Sequence, residues 1–249
     1  MMKKTVSSIL LASALLLGTV APVAANAATV TGTSGSTKTQ AAFTAPDSVT
    51  TPVDPNNPDT SSTGDNGGNG ATTSEGGLTF LYVTDSIDFG SAKAVTTKTQ
   101  SLDVDTISTG SFTADKTINS NFVTELSDTR GSNAGWHVTV SSSPMVNAKD
   151  TDANTNTLKG ATVDFDGPTT IKNSASADGI SANTVSVPTE TGAAQTIYQA
   201  AADNGAGQTS FQLAPTNIKL NNIGPNTNTG TYNGSLTWTL DDAPVEPAK

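Results

Sequence analysis

From residue 77 onward, apolar and polar side chains alternate with a period of two, the pattern of strands that bury one face and wet the other. The clearest run is residues 231–240. Tyr232, Gly234, Leu236, Trp238 and Leu240 fall on one side, and Asn233, Ser235, Thr237 and Thr239 on the other. The same alternation carries Leu78, Phe80 and Tyr82, then Trp136, Val138 and Val140, then Val163 and Phe165, then Phe211 and Leu213. Turn-forming clusters separate these runs, among them Asp203-Asn204-Gly205 and Asn154-Thr155-Asn156, where short polar residues and glycine reverse the chain cheaply. No stretch after the first 27 residues carries a 3.6-residue period of useful length. The pattern predicts an all-β fold, an antiparallel β-sandwich or barrel-like single domain over residues 77–249.

The chain ahead of that domain reads differently. Lys3 and Lys4 precede an apolar run that ends near Val20, and Ala25-Asn26-Ala27 follows. This is the order of a secretory signal peptide with its cleavage site, expected over residues 1–27. The apolar run is too short for a membrane span of about 20 residues, and no second one follows, so the mature chain is expected to have no transmembrane segment. Residues 28–76 contain one aromatic, Phe43, no Leu, Ile or Met, and prolines at positions 46, 52, 55 and 58. Such a tract offers little apolar area to offset the entropy of ordering it. It is expected to be a disordered spacer.

Charge and cysteine content narrow the function classes. The formal net charge is -10 and becomes more negative once the two leader lysines are removed, which excludes nucleic acid and simple electrostatic adhesion to anionic wall polymers. An exported chain without cysteine must be held by its core alone, and a domain of this length can bury enough surface to do so.

Two blocks carry the most specific signal. One is Asp128-Thr129-Arg130-Gly131-Ser132-Asn133-Ala134-Gly135-Trp136-His137-Val138-Thr139-Val140. The other runs Tyr232-Asn233-Gly234-Ser235-Leu236-Thr237-Trp238-Thr239-Leu240-Asp241-Asp242-Ala243-Pro244. Together they resemble the WxL domain of Gram-positive surface proteins, and Gly77-Leu78-Thr79-Phe80 with Ile87-Asp88-Phe89-Gly90 is similar to that family's opening strand and turn. The second motif is a full Trp238-Thr239-Leu240, whereas the first has Val138 where the family has Leu, a modest volume change. The resemblance implies a secreted module at the bacterial cell surface that attaches non-covalently to peptidoglycan in the cell wall. It also implies a membrane-anchored WxL-interacting protein as companion, so a structural subunit of a surface complex is the alternative.

Within the blocks, Trp136, Trp238, Leu240, Arg130 and Asp128 are the candidate binding residues. Each tryptophan is either a core anchor, burying roughly 150–250 Å², or an exposed platform for a sugar ring or a partner. Arg130, the sole arginine, either pairs with Asp128 to fix the loop before Trp136 or clamps a carboxylate of the wall peptide. The acidic run from Asp150 to Asn156 opens like a calcium loop, but Thr155 and Ala161 stand where an EF-hand needs Gly and Glu, so a polar hairpin tip is expected. Leu213-Ala214-Pro215-Thr216-Asn217 lacks the positions of a sortase signal. His137, the only histidine, is expected on the sheet surface. No metal or cofactor site and no enzymatic activity are expected, since nucleophile, base and orienting group never appear at an interpretable spacing. The acid pairs Asp103/Asp105 and Asp164/Asp166 are read as surface charge rather than as a glycosidase pair.

Overall fold

The computed structural model describes residues 29–36, 39–66, 77–94, 96–153, 155–190, 192–225 and 227–242. The expected leader, residues 67–76 of the expected spacer, Asn154, Ala243 and Pro244 lie outside the described residues. The chain divides into two units, Met1–Phe43 and Thr44–Lys249. In the first, β1 (Thr29–Thr31) and β2 (Ser34–Ser36) pair as an antiparallel hairpin. All that follows concerns the second unit.

Its strands in chain order are β3 (Val53–Asp54), β4 (Asn57–Ser61), β5 (Leu78–Val83), β6 (Ser86–Asp88), β7 (Gln100–Asp103), β8 (Thr106–Ser108), β9 (Phe122–Asp128) and β10 (Trp136–Ser142). There follow β11 (Thr162–Phe165), β12 (Thr169–Asn173), β13 (Ile180–Ala182), β14 (Val185–Pro188), β15 (Gln195–Ala200), β16 (Gly207–Leu213), β17 (Ile218–Ile223) and β18 (Leu236–Asp241). Twelve of these build three four-stranded antiparallel sheets, ordered β13-β15-β10-β18, β14-β11-β17-β7 and β12-β16-β9-β5. β3 with β4 and β6 with β8 form separate two-stranded sheets. Among the described residues no helix is long and apolar enough to cross a membrane.

Period-two burial explains how the three sheets share one core. On β10, Trp136, Val138 and Val140 are buried while His137 and Thr139 are partly exposed. β11 repeats the pattern with Val163 and Phe165. The inner faces contribute Trp136, Val138 and Tyr198 from the first sheet, Val163, Phe165 and Ile218 from the second, and Phe122, Leu126 and Phe211 from the third, to one continuous cluster. Sharing a core among three sheets makes the domain barrel-like. The turn at 201–206 joins β15 to β16 in a different sheet. The signal Asp203-Asn204-Gly205 therefore marks a corner between sheets, where Asp203 and Gly205 both take positive φ, rather than a hairpin.

The compact unit begins at Thr44, so part of the tract expected as spacer belongs to the domain. Residues 52–65 form a strap over the outer face of the β12-β16-β9-β5 sheet. Pro52, Val53, Pro55 and Pro58 are buried. The strap's backbone is tied down by Ser62 N–H donating to the Pro52 carbonyl at 2.9 Å and Thr63 N–H to the Phe112 carbonyl at 3.1 Å. The physical reason lies in the prolines. Their fixed φ leaves less chain entropy to lose, and they have no N–H to satisfy, so a strap poor in Leu and Ile can still dock.

Candidate functional site

The two motif strands are neighbours. β10 and β18 pair antiparallel, with Val138 opposite Leu240 and Val140 opposite Trp238. The departure at Val138 thus faces the full motif's own Leu240, and Val138 is fully buried there.

The tryptophans occupy different environments. Trp136 lies on an interior strand and is 0% exposed. Its indole N–H donates to the Gly205 carbonyl at 3.0 Å, which removes the penalty of burying that donor, and its ring meets Phe211 edge-on with centroids 6.1 Å apart. Trp136 has no surface to offer and is a core anchor. Trp238 lies on β18, the edge strand of its sheet, and is half-buried. It stacks on Phe122 at 5.4 Å and meets Phe165 edge-on at 5.9 Å. Tyr198 lies between the two environments, stacked on Phe211 at 3.9 Å and on Trp238 at 6.3 Å. The two indoles are therefore linked through the core by a chain of rings while only one reaches the outside.

That side of Trp238 borders a cleft of about 410 Å³ floored by Ile87, Phe89, Met145 and Leu236, with Ser142 and Ser235 beside them. A second cavity of about 530 Å³ shares Ile87, Phe89, Met145 and Gly234 with it and extends the cleft toward Tyr232. Asp85 and Asp88 are exposed along it, and none of the described lining residues is Lys or Arg. The chain reaches this wall by a sharp reversal after β6. There the Asp88 carboxylate accepts from Gly90 N–H at 2.7 Å, and Gly90 holds φ +64°, a conformation that favours glycine. In the sequence, Ile87, Asp88, Phe89 and Gly90 stand out for their family resemblance alone, and their role as a cleft wall is not visible there. An aliphatic and an aromatic two residues apart, Ile87 in β6 and Phe89 just past it, were the available signal.

Arg130 and Asp128 resolve into a structural clamp. Arg130 Nε and one terminal nitrogen grip the two Asp128 oxygens at 2.9 and 2.8 Å. The guanidinium also donates to the carbonyls of Gly135 at 2.8 Å and Asp242 at 3.2 Å. It thereby joins the end of β9, the loop before Trp136 and the chain just past β18. Hydrogen bonding to Asp128 raises the Arg130 pKa, with burial acting against it. Of the two readings of Arg130, the geometry is that of the internal pair.

The remaining candidates are also placed. Leu240 is partly buried against the core. His137 is partly exposed, its Nε2 3.4 Å from an Asp241 oxygen. Asp150 at the calcium-like tip accepts from Asp152 N–H, the Thr155 hydroxyl and the Asn228 amide, which turns the tip into a self-bonded polar turn. Asp103 pairs with Lys219 at 2.8 Å, and Asp164 accepts from the Asn221 amide. Residues Pro215–Asn217 of the sortase-like stretch form a 3-10 turn between β16 and β17.

An antiparallel β domain with a partly apolar cleft beside an edge-strand tryptophan has the form of a binding module. The chain belongs to the WxL family: a model described as WxL domain surface cell wall-binding matches residues 30–244. No curated protein and no solved structure is significantly similar to it. The family assignment makes this a surface domain that binds the cell wall, and its matched range includes the strap as well as both tryptophan strands.

Proposed function

We propose that the domain attaches non-covalently to peptidoglycan through the cleft beside Trp238, and that attachment rather than catalysis is its role. The observation that carries this reading is the exposed side of Trp238 over a floor of Ile87, Phe89, Met145 and Leu236. A pyranose ring and an N-acetyl methyl have apolar faces suited to such a floor. Ser142, Ser235 and Asp85 supply the few convergent polar groups that would orient hydroxyls and amides. The acidic chain supplies no attraction to polyanions, so shape, stacking and hydrogen bonding must hold the ligand.

The test is co-sedimentation of the exported protein with purified peptidoglycan sacculi. Wild type is expected in the pellet, and Asp85→Ala combined with Phe89→Ala in the supernatant with its near-ultraviolet spectrum unchanged. Wild type left entirely in the supernatant would contradict the proposal. If it were instead retained by the ectodomain of a membrane-anchored partner, the role would be that of a structural subunit in a surface complex.

A further inference from the structure

The strap covers an unusual surface. All seven residues of β9 are buried, because both faces of its sheet are covered. Phe122 and Leu126 point to the main core, whereas Val123, Glu125 and Ser127 alternate onto the opposite face. Ser210 lies directly across from Glu125 on β16, and Tyr82 across from it on β5. Glu125 is 0% exposed. One of its oxygens accepts from the strap's Val53 N–H at 3.0 Å. The other has no partner, and neither do the hydroxyls of Ser127 and Ser210 beside it.

A carboxylate in this position would be a buried charge with no cation to meet it. From the strap, Asp54 faces it with a like charge; from β5, Tyr82 stands across from it and is itself raised by the charges of Glu125 and Asp85. β16 presents Ser210 and Gln212, and among the described residues no Lys, Arg or His acts on the site. The carboxylic acid form is the one this surface tolerates. The strap's other ties are neutral: Gln212 donates to the Pro55 carbonyl at 3.2 Å and to the Asn56 side chain at 3.1 Å, and Ser111 N–H to the Asp65 carbonyl at 2.7 Å.

We propose that Glu125 is a proton-operated latch for residues 52–65: the strap stays seated while the carboxyl carries its proton and lifts from the sheet when the carboxyl ionises. Lifting hydrates the carboxylate and uncovers the polar face of Glu125, Ser127, Ser210 and Gln212, leaving the three-sheet core closed beneath. The latch would make the outer surface of a wall-bound protein respond to the acidity of its surroundings, independently of the Trp238 cleft.

The direction follows from linkage. Burial, reinforced by the Asp54 charge and opposed by the Val53 N–H, pushes Glu125 from 4.5 up to about 8. The seated form therefore binds the proton more tightly than the lifted form. The seated state is fully favoured below the ordinary carboxyl value and loses ground as pH rises to about 8. One proton released per opening makes the lifted-to-seated ratio grow about tenfold per pH unit across that window, and it is level on either side.

The experiment is amide hydrogen exchange between pH 5 and 9, corrected for the intrinsic base dependence, on the full exported protein. Protection at Val53, Ser62 and Thr63 is expected to fall about tenfold per pH unit up to about pH 8 and then level, while β10 amides keep theirs. In Glu125→Gln the strap protection is expected to be independent of pH. Carbon-13 titration of the Glu125 carboxyl in the wild type gives a second reading that needs no variant, with a midpoint expected well above the usual carboxyl range. A flat wild-type profile, an unchanged slope in Glu125→Gln, or a Glu125 midpoint near 4.5 would each overturn the latch.

Discussion

Trp136 and Trp238 sit in the same short motif on adjacent strands, yet one is a structural anchor and the other half a surface. The difference comes from sheet position. Trp136 is on β10, flanked by β15 and β18, and its indole N–H is satisfied by the Gly205 carbonyl. Trp238 is on β18, with no strand among the described residues paired to its far side, so the sheet ends there and leaves one side of the ring over the cleft. A repeated motif in a β domain can thus divide its labour, with the interior copy holding the fold and, in the proposed attachment, the edge copy meeting the ligand.

Substitutions at the two ends of the aromatic chain separate these roles. Trp136→Ala removes a fully enclosed ring and leaves its volume empty, so it is expected to cost about 3–5 kcal/mol of stability by urea unfolding. A loss under 1 kcal/mol would mean the ring is not an anchor. Gly205→Ala attacks the same anchor from outside. A Cβ there would stand 2.6 Å from Trp136 Nε1 and closer still to Ala200, at a φ of +78°. A loss of about 2–3 kcal/mol is expected, together with a red shift of Trp136 fluorescence. Trp238→Ala keeps the core strands and is expected to cost about 2 kcal/mol while abolishing sedimentation with sacculi. If it lowered stability as far as Trp136→Ala does, the division between the copies would fail. Arg130→Lys, which keeps the charge but loses the two-pronged grip on Asp128, is expected to cost about 1 kcal/mol without changing sacculus retention.

The parts of this arrangement that are local were legible in the sequence. Alternation in residues 231–240 and 136–140 put Trp238, Leu240, Trp136 and Val138 on inward faces, and an Arg two residues from an Asp in a glycine-bounded loop suggested the clamp that Arg130 forms. What depends on distant pairing was not legible. The pairing of Val138 with Leu240 spans about a hundred residues of chain, and the cleft arises only when Ile87 and Phe89 are brought against Leu236. The docking of the strap was not legible for a different reason. Composition counts Leu, Ile and aromatics, whereas residues 52–65 are held by buried prolines, one valine and a hydrogen bond to the carboxyl of Glu125, none of which a hydropathy pattern weights.

With two tryptophans in the chain, single replacements give each ring its own fluorescence reporter. Trp136→Phe leaves Trp238 as the sole indole, and Trp238→Phe leaves Trp136. Titration with solubilised peptidoglycan fragments is predicted to shift the Trp238 emission to the blue and protect it from acrylamide, while Trp136 emission stays constant. Saturable changes at Trp136 with none at Trp238, or no change at either, would contradict wall attachment through the edge-strand cleft.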